Sequence, residues 1–212
     1  MASLTPFRPS WPRDPEGQYQ SPRILHEQIM QVCRHWWGVA QSTASLWSDI
    51  ILRPRRELAS AQIQQARTTS VNVYCEGDVE SLVPVLSEHA HRIRFLHIRT
   101  MDCSDSSTMQ RMDAVFMILP RMALHIEEFV LHAWYVHWPM ISKERPIVSL
   151  FSGHAPRLRV LSIFCVRRML TGSFPNLRKL YLIICGSPIA TEVLDFLRES
   201  PILEHIHLEA PG

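Results

Sequence analysis

Two histidine pairs, His89-x-His91 and His205-x-His207, are the first residues in this chain whose spacing could do chemistry. Each sets two imidazoles on one side of a short element, which is how a metal site can begin. No carboxylate or cysteine recurs at ligand spacing with them, so no metal is expected. The five cysteines (Cys33, Cys75, Cys103, Cys165, Cys185) are odd in number, scattered and without CxxC spacing, which suits buried free thiols in a reducing compartment. No GxSxG, P-loop, HExxH or Rossmann glycine pattern occurs. With 7 Gly in the chain, loops able to cradle phosphate are scarce. A Cys–His pair assembled by the fold stays open, although five Cys and eleven His offer many accidental pairs. The expectation is a protein without catalytic residues, metal or cofactor.

The bulk properties point the same way. At 212 residues the chain makes one domain, or a small module and a larger one, and its 46% apolar content suffices for a sizeable core. A net charge of +2 offers no electrostatic case for nucleic acid or an anionic membrane. The 20 Arg against 2 Lys favour heads that pair and stack, though base composition can produce the same skew. No apolar run approaches the ~18 residues of a membrane span. Prolines at 6, 9, 12 and 15 and early charges replace the apolar stretch of a signal peptide, so a cytoplasmic or nuclear protein is expected. The same prolines predict a disordered segment over 1–20.

The elements that would position the histidines come from an internal repeat. From residue 70 onward the unit apolar-x-x-apolar-x-apolar occurs at Ile93-Leu96-Ile98, Ile126-Phe129-Leu131, Leu158-Leu161-Ile163, Leu177-Leu180-Leu182 and Leu203-Ile206-Leu208. Val71 and Val73 fit an earlier, degenerate copy. Three copies carry a proline two residues before the first apolar position (Pro156, Pro175, Pro201), and the spacings are 33, 32, 19 and 26 residues. Alternate residues of a strand point the same way. Leu180, Leu182, Ile206 and Leu208 are therefore expected to face inward.

The outward positions become Phe95, His97 and Arg99; Glu128, Val130 and His132; Val160, Ser162 and Phe164; Lys179, Tyr181 and Ile183; and His205, His207 and Glu209. A solvated face has little reason to carry Phe95, Phe164, Tyr181 and Ile183 together, so this face is the expected binding surface. Exposed histidines at 97, 132, 205 and 207 would make binding sensitive to pH near 6.5. Parallel strands need crossovers. Helices are predicted over 79–90, opened by Asp78, over 109–119, opened by Ser107 or Thr108, and over 192–199, opened by Thr191. A further helix is predicted over 57–66. Trp134, Tyr135 and Trp138 fall in a proline-containing loop, as core or as contact residues.

The segment from Val32 to Ile50, VCRHWWGVAQSTASLWSDI, reads as a helical module. Leu25, Ile29, Val32, Trp36 and Ala40 keep the period of one helix face. Ser42 or Thr43 can cap a second short helix carrying Leu46, Trp47 and Ile50. Three tryptophans within twelve residues exceed what a helix pair can bury, so some must face the rest of the chain or a partner.

Val32, Cys33, Trp36, Ala40, Ser42, Leu46, Trp47 and Ile50 resemble the second half of the F-box of a large group of fungal F-box proteins. The run there reads V-C-x-x-W-x-x-x-A-x-S-x-x-x-L-W-x-x-I. Residues 1–22 hold no counterpart of the motif's Leu-Pro-x-Glu opening, so the match is partial. The repeat is similar to the divergent leucine-rich repeats that commonly follow an F-box in that group.

The resemblance implies an α/β chain: an F-box-like helical segment over 21–52, a linker helix over 53–69, and an irregular leucine-rich-repeat solenoid with a parallel sheet over 70–212. It implies a substrate-recognition subunit of an SCF-type cullin–RING ubiquitin ligase. The ligase adaptor would be held by Val32, Cys33, Trp36, Leu46, Trp47 and Ile50. An unknown protein substrate would be held by Phe95, His97, Arg99, His132, Phe164, Tyr181, Ile183, His205 and His207. A repeat scaffold that binds a protein partner without any ligase is the alternative.

Overall fold

Apolar residues two apart recur along the chain, and seven such pairs, from Ile50 and Leu52 to Ile206 and Leu208, lie in strands. The computed structural model describes residues 32–52, 56–76, 83–100, 115–133, 150–166, 170–184 and 190–209. The strands are β1 (Asp49–Leu52), β2 (Val71–Glu76), β3 (Ile93–Thr100), β4 (Glu128–Ala133), β5 (Val160–Val166), β6 (Lys179–Ile184) and β7 (His205–Glu209). They form one seven-stranded sheet in chain order, and every neighbouring pair is parallel. The chain is thus α/β with a parallel sheet, as the repeat implies.

The helices are α1 (Arg34–Ser42), α2 (Arg56–Gln65) between β1 and β2, α3 (Val83–Glu88) between β2 and β3, α4 over 115–122 between β3 and β4, and α5 (Ala190–Glu199) between β6 and β7. Val85 and Leu86 of α3, and residues 115, 118, 119 and 122 of α4, are buried, as their helical spacing requires. Asp78, Ser107 and Thr108, assigned as helix caps, lie outside the described residues, as do the 1–20 segment and Trp134, Tyr135 and Trp138. The α5 helix opens at Ala190, one residue before the expected Thr191 cap.

The register aligns the inward residues into two ladders. One runs Ile50, Val73, Leu96, Phe129, Leu161, Leu180, Ile206; the other runs Leu52, Cys75, Ile98, Leu131, Ile163, Leu182, Leu208. All but the last rung of each are buried. Burial in this ladder pushes the Cys75 thiol well above its ordinary pKa. The first apolar position adds Val71, Ile93, Ile126, Leu158 and Leu177, also buried, whereas Leu203 of the last copy is only half-buried. Among the larger core side chains Phe129 stands edge-on to Phe151, with ring centroids 5.5 Å apart.

The recurrent proline has a local cause. Leu158 N–H donates to Ala155 O (3.2 Å), Leu177 N–H to Phe174 O (3.0 Å) and Leu203 N–H to Ser200 O (3.2 Å). Each is a four-residue turn with Pro156, Pro175 or Pro201 in its second position, where a fixed φ near −65° is favoured. The turn reverses the chain into the next strand and buries its first residue: Ala155, Phe174 or Ser200. Asn176 Nδ2 donates to Pro156 O (2.6 Å), tying one turn to the next.

Two expectations about the 32–52 region are corrected. Cys33 is extended (φ −167°, ψ 168°) and α1 starts after it, so Val32 does not continue the helix face of Trp36 and Ala40. Leu25 and Ile29 lie outside the described residues. The hydroxyls of Ser42 and Thr43 both donate to Val39 O, at 2.9 and 2.8 Å, so they close α1 rather than open a second helix. Only a single 3-10 turn, Ala44–Trp47, follows. Ile50 then sits in β1, because the β-branched pair Ile50-Ile51 finds Val73 and Tyr74 of β2 in parallel register. Two compact units result, Met1–Thr43 and Ala44–Gly212, and Leu46, Trp47 and Ile50 fall with the sheet.

Candidate functional site

Two groups of residues were expected to meet partners, one around α1 and one on the outward side of the sheet. Around α1, Val32 is 66% exposed, Trp36 51% and Trp37 47%. Cys33 is an exposed free thiol, and Val39 is also exposed. Polar Arg34, His35 and Gln41 share the helix with these residues, so the apolar side chains are displayed rather than packed. Leu46, Trp47 and Ile50 differ. Leu46 is half-buried, while Trp47 and Ile50 belong to the core of the second unit, where α2 packs against β1 and the Ala44–Trp47 turn. A partner could reach those two side chains only by disturbing that core.

On the sheet, the strand phase is as alternation predicts: Ile163 and Leu182 are buried inward, and Tyr181 is half-exposed on the other side. The register then lines up an outward row Tyr74, His97, Val130, Ser162, Tyr181, His207. This row is not evenly open. His97, Val130, His132 and Ser162 are buried, so the middle of the sheet is covered on both faces. Phe95, Arg99, Tyr181, Ile183 and His207 are half-exposed and His205 is exposed. The side chain of Phe164 lies outside the described residues. The expectation of a continuous open face through His97 and His132 is therefore corrected: alternation fixes which way a residue points, not what lies over it.

The buried middle holds a defined set of polar groups. The Tyr74 ring meets His97 edge-on at 5.0 Å, and His97 Nε2 lies 2.9 Å from Glu128 Oε1. Arg99 is in register with His132. Burial, with His97 and Arg99 adding positive charge nearby, pushes the His132 imidazole down to about 4. Burial, with Asp49 and Glu128 nearby, pushes the Tyr74 hydroxyl up to about 12. At neutral pH His132 is therefore neutral and Tyr74 protonated, so His132 cannot supply pH sensitivity near 6.5. Tyr74 escaped the sequence reading, although the Val71-x-Val73 copy already placed it outward. Towards β7 the Tyr181 and His207 rings sit 6.3 Å apart, and His207 Nε2 is 3.6 Å from Glu209 Oε2.

The two histidine pairs part company. His205 and His207 both point outward on β7. His89 follows α3 and is half-buried, 3.9 Å from Glu88, with burial lowering its pKa, while His91 is exposed in the next turn. Among the described residues no three His, Cys, Asp or Glu side chains converge on a point that could hold a metal ion. No helix among them is long and apolar enough to cross a membrane. The arrangement offers displayed apolar side chains at α1 and a mixed aromatic, histidine and charged face toward β6 and β7, both suited to contact with another protein. Comparison with known families, curated proteins and solved structures finds no match to this chain.

Proposed function

We propose that this chain is the substrate-recognition subunit of an SCF-type cullin–RING ubiquitin ligase, one that binds and presents without doing chemistry. The observation that carries the reading is the apolar display at α1: Val32, Trp36 and Trp37 stand exposed in the stretch that resembles the second half of an F-box. Isolated exposed apolar residues are ordinary, but two adjacent tryptophans with two valines nearby form a patch that favours a partner. The adaptor subunit would dock there. The repeat region, read as an irregular leucine-rich-repeat solenoid, would hold the substrate on its half-exposed face, with Phe95, Arg99, Tyr181, Ile183, His205 and His207 as contacts.

One observation favours the scaffold reading instead. Trp47 and Ile50, two of the motif residues, are buried in the sheet unit, where a structural role accounts for them. A pull-down separates the readings. The full chain should retain the adaptor, and Trp36→Ala with Trp37→Ala should release it without changing the melting temperature of the sheet. Failure of the parent chain to retain adaptor at micromolar protein favours the scaffold. Substitution at Trp47 is a poor test, since loss of binding there cannot be told from loss of fold.

A further inference from the structure

The residue after the first apolar position of each repeat carries a charge: Arg94, Glu127, Arg159, Arg178 and Glu204. Backbone hydrogen bonds set these five side by side on successive strands: Glu127 N–H to Arg94 O (2.7 Å), Arg159 N–H to Glu127 O (2.7 Å), Arg178 N–H to Arg159 O (2.9 Å) and Glu204 N–H to Arg178 O (2.9 Å). Strands stand about 4.8 Å apart, so side chains at this position can reach their neighbours. Two pairs do. Arg94 Nε donates to Glu127 Oε1 at 2.7 Å, and Arg178 Nη1 lies 3.1 Å from Glu204 Oε1.

Arg159 is left over between them. The Glu127 side chain is held by Arg94 and only 12% exposed, and the neighbour on the other side, Arg178, is a like charge. Two more cations adjoin it. Arg157 sits in the turn before Leu158, which Asn176 Nδ2 ties to the next turn through Pro156 O (2.6 Å). Lys179 follows Arg178, and its backbone N–H donates to Arg159 O at 3.0 Å. Arg157, Arg159 and Arg178 are exposed and Lys179 is half-exposed. Among the described residues only Arg178 of these four pairs with an anion. Every other neighbouring pair in the row is of opposite sign, whereas Arg159 and Arg178 are like charges on adjacent strands, which repel. An anion from outside relieves that repulsion, and a guanidinium takes a carboxylate by two parallel hydrogen bonds. Glu127 and Glu204 bound the patch on either side, so it has room for two or three carboxylates and not for the long phosphate track of a nucleic acid.

We propose that the turns opening β5 and β6 form a docking site for an acidic segment of a partner protein, one whose neighbouring Asp or Glu carboxylates meet Arg157, Arg159 and Lys179. Arg159 is the central contact, because its own row leaves it without an anion. No residue of α1 takes part, so the site serves a ligase subunit and a scaffold alike.

The test is fluorescence anisotropy of a labelled acidic peptide, Gly-Glu-Asp-Glu-Glu-Gly, titrated with the full chain at low salt. Saturable micromolar binding is expected, and the same peptide with amides in place of its carboxylates should not bind. Arg159→Glu should weaken binding about tenfold or more. Its side chain is exposed, so the variant should melt as the parent does. Arg67→Glu makes the same charge change in an exposed turn that leads into β2, three strands from β5, and should alter binding less than about twofold. Absence of saturable binding overturns the proposal, as does an equal loss in Arg67→Glu, which assigns the binding to overall charge. A single-stranded oligonucleotide of the same charge that binds more tightly than the peptide overturns it too, because it assigns the patch to nucleic acid.

Discussion

His132 shows most clearly what a single environment does to a single group. Its pKa falls from the ordinary 6.5 to about 4 because burial penalises the imidazolium, with His97 and Arg99 repelling it further. A folded pKa below the unfolded one means the unfolded chain binds the extra proton between pH 6.5 and 4. Stability is therefore full above pH 6.5 and drains as pH falls toward 4, by roughly 3 kcal/mol in all. Urea denaturation at pH 7 and pH 4.5 should reveal the loss, and His132→Gln should flatten it. An unchanged slope in the variant would assign the acid sensitivity to other groups. Gly172 makes a second case. It holds φ +143°, and a Cβ there would lie 2.8 Å from Gly153 O and 2.9 Å from Gly153 Cα, both immovable backbone. The turns of residues 150–153 and 172–173 touch at this point, where Ser173 N–H donates to Gly153 O at 2.7 Å. Gly172→Ala should cost about 2–4 kcal/mol, read as a lower midpoint in denaturant. Gly38, where a Cβ would meet nothing within 4 Å, tolerates the same change.

Elements differ in how much of themselves the sequence discloses. Strands β3 to β7 were legible because each carries the apolar-x-x-apolar-x-apolar unit, and three of them the proline turn that starts it. The β1 strand was not. Leu46, Trp47 and Ile50 fit helical spacing as well as they fit a turn and a strand, and the deciding partner, β2, lies over twenty residues away. Cys33 hid a helix break inside a regular period for a similar reason: nothing in its side chain reports an extended backbone. The ladders make a paired prediction at this scale. Leu180→Asp buries an unpaired charge between Leu161 and Ile206 and should cost about 3–5 kcal/mol. Leu208→Asp, on an inward rung of the edge strand, stays in contact with water and should cost no more than about 1 kcal/mol. Equal losses in chemical denaturation would mean that the β7 end is covered.

The whole molecule combines a short helix that displays tryptophans with a sheet of seven parallel strands. On the outward side of the sheet the Tyr74 ring meets His97, His97 pairs with Glu128, and burial holds His132 neutral at pH 7. How much of that face is open was beyond the sequence, since alternation gives a side chain's direction and not its burial. Helix α1 and the last rungs of the two ladders, Ile206 and Leu208, each display apolar side chains. The central claim is that α1 docks on the adaptor subunit of an SCF-type ligase. The most direct measurement is a titration of purified adaptor into the full chain, followed by amide hydrogen exchange. Saturable binding that slows exchange across residues 34–42 and leaves β2 to β6 unchanged is the predicted result. Binding that does not saturate, or protection confined to the sheet with α1 unaffected, would contradict it.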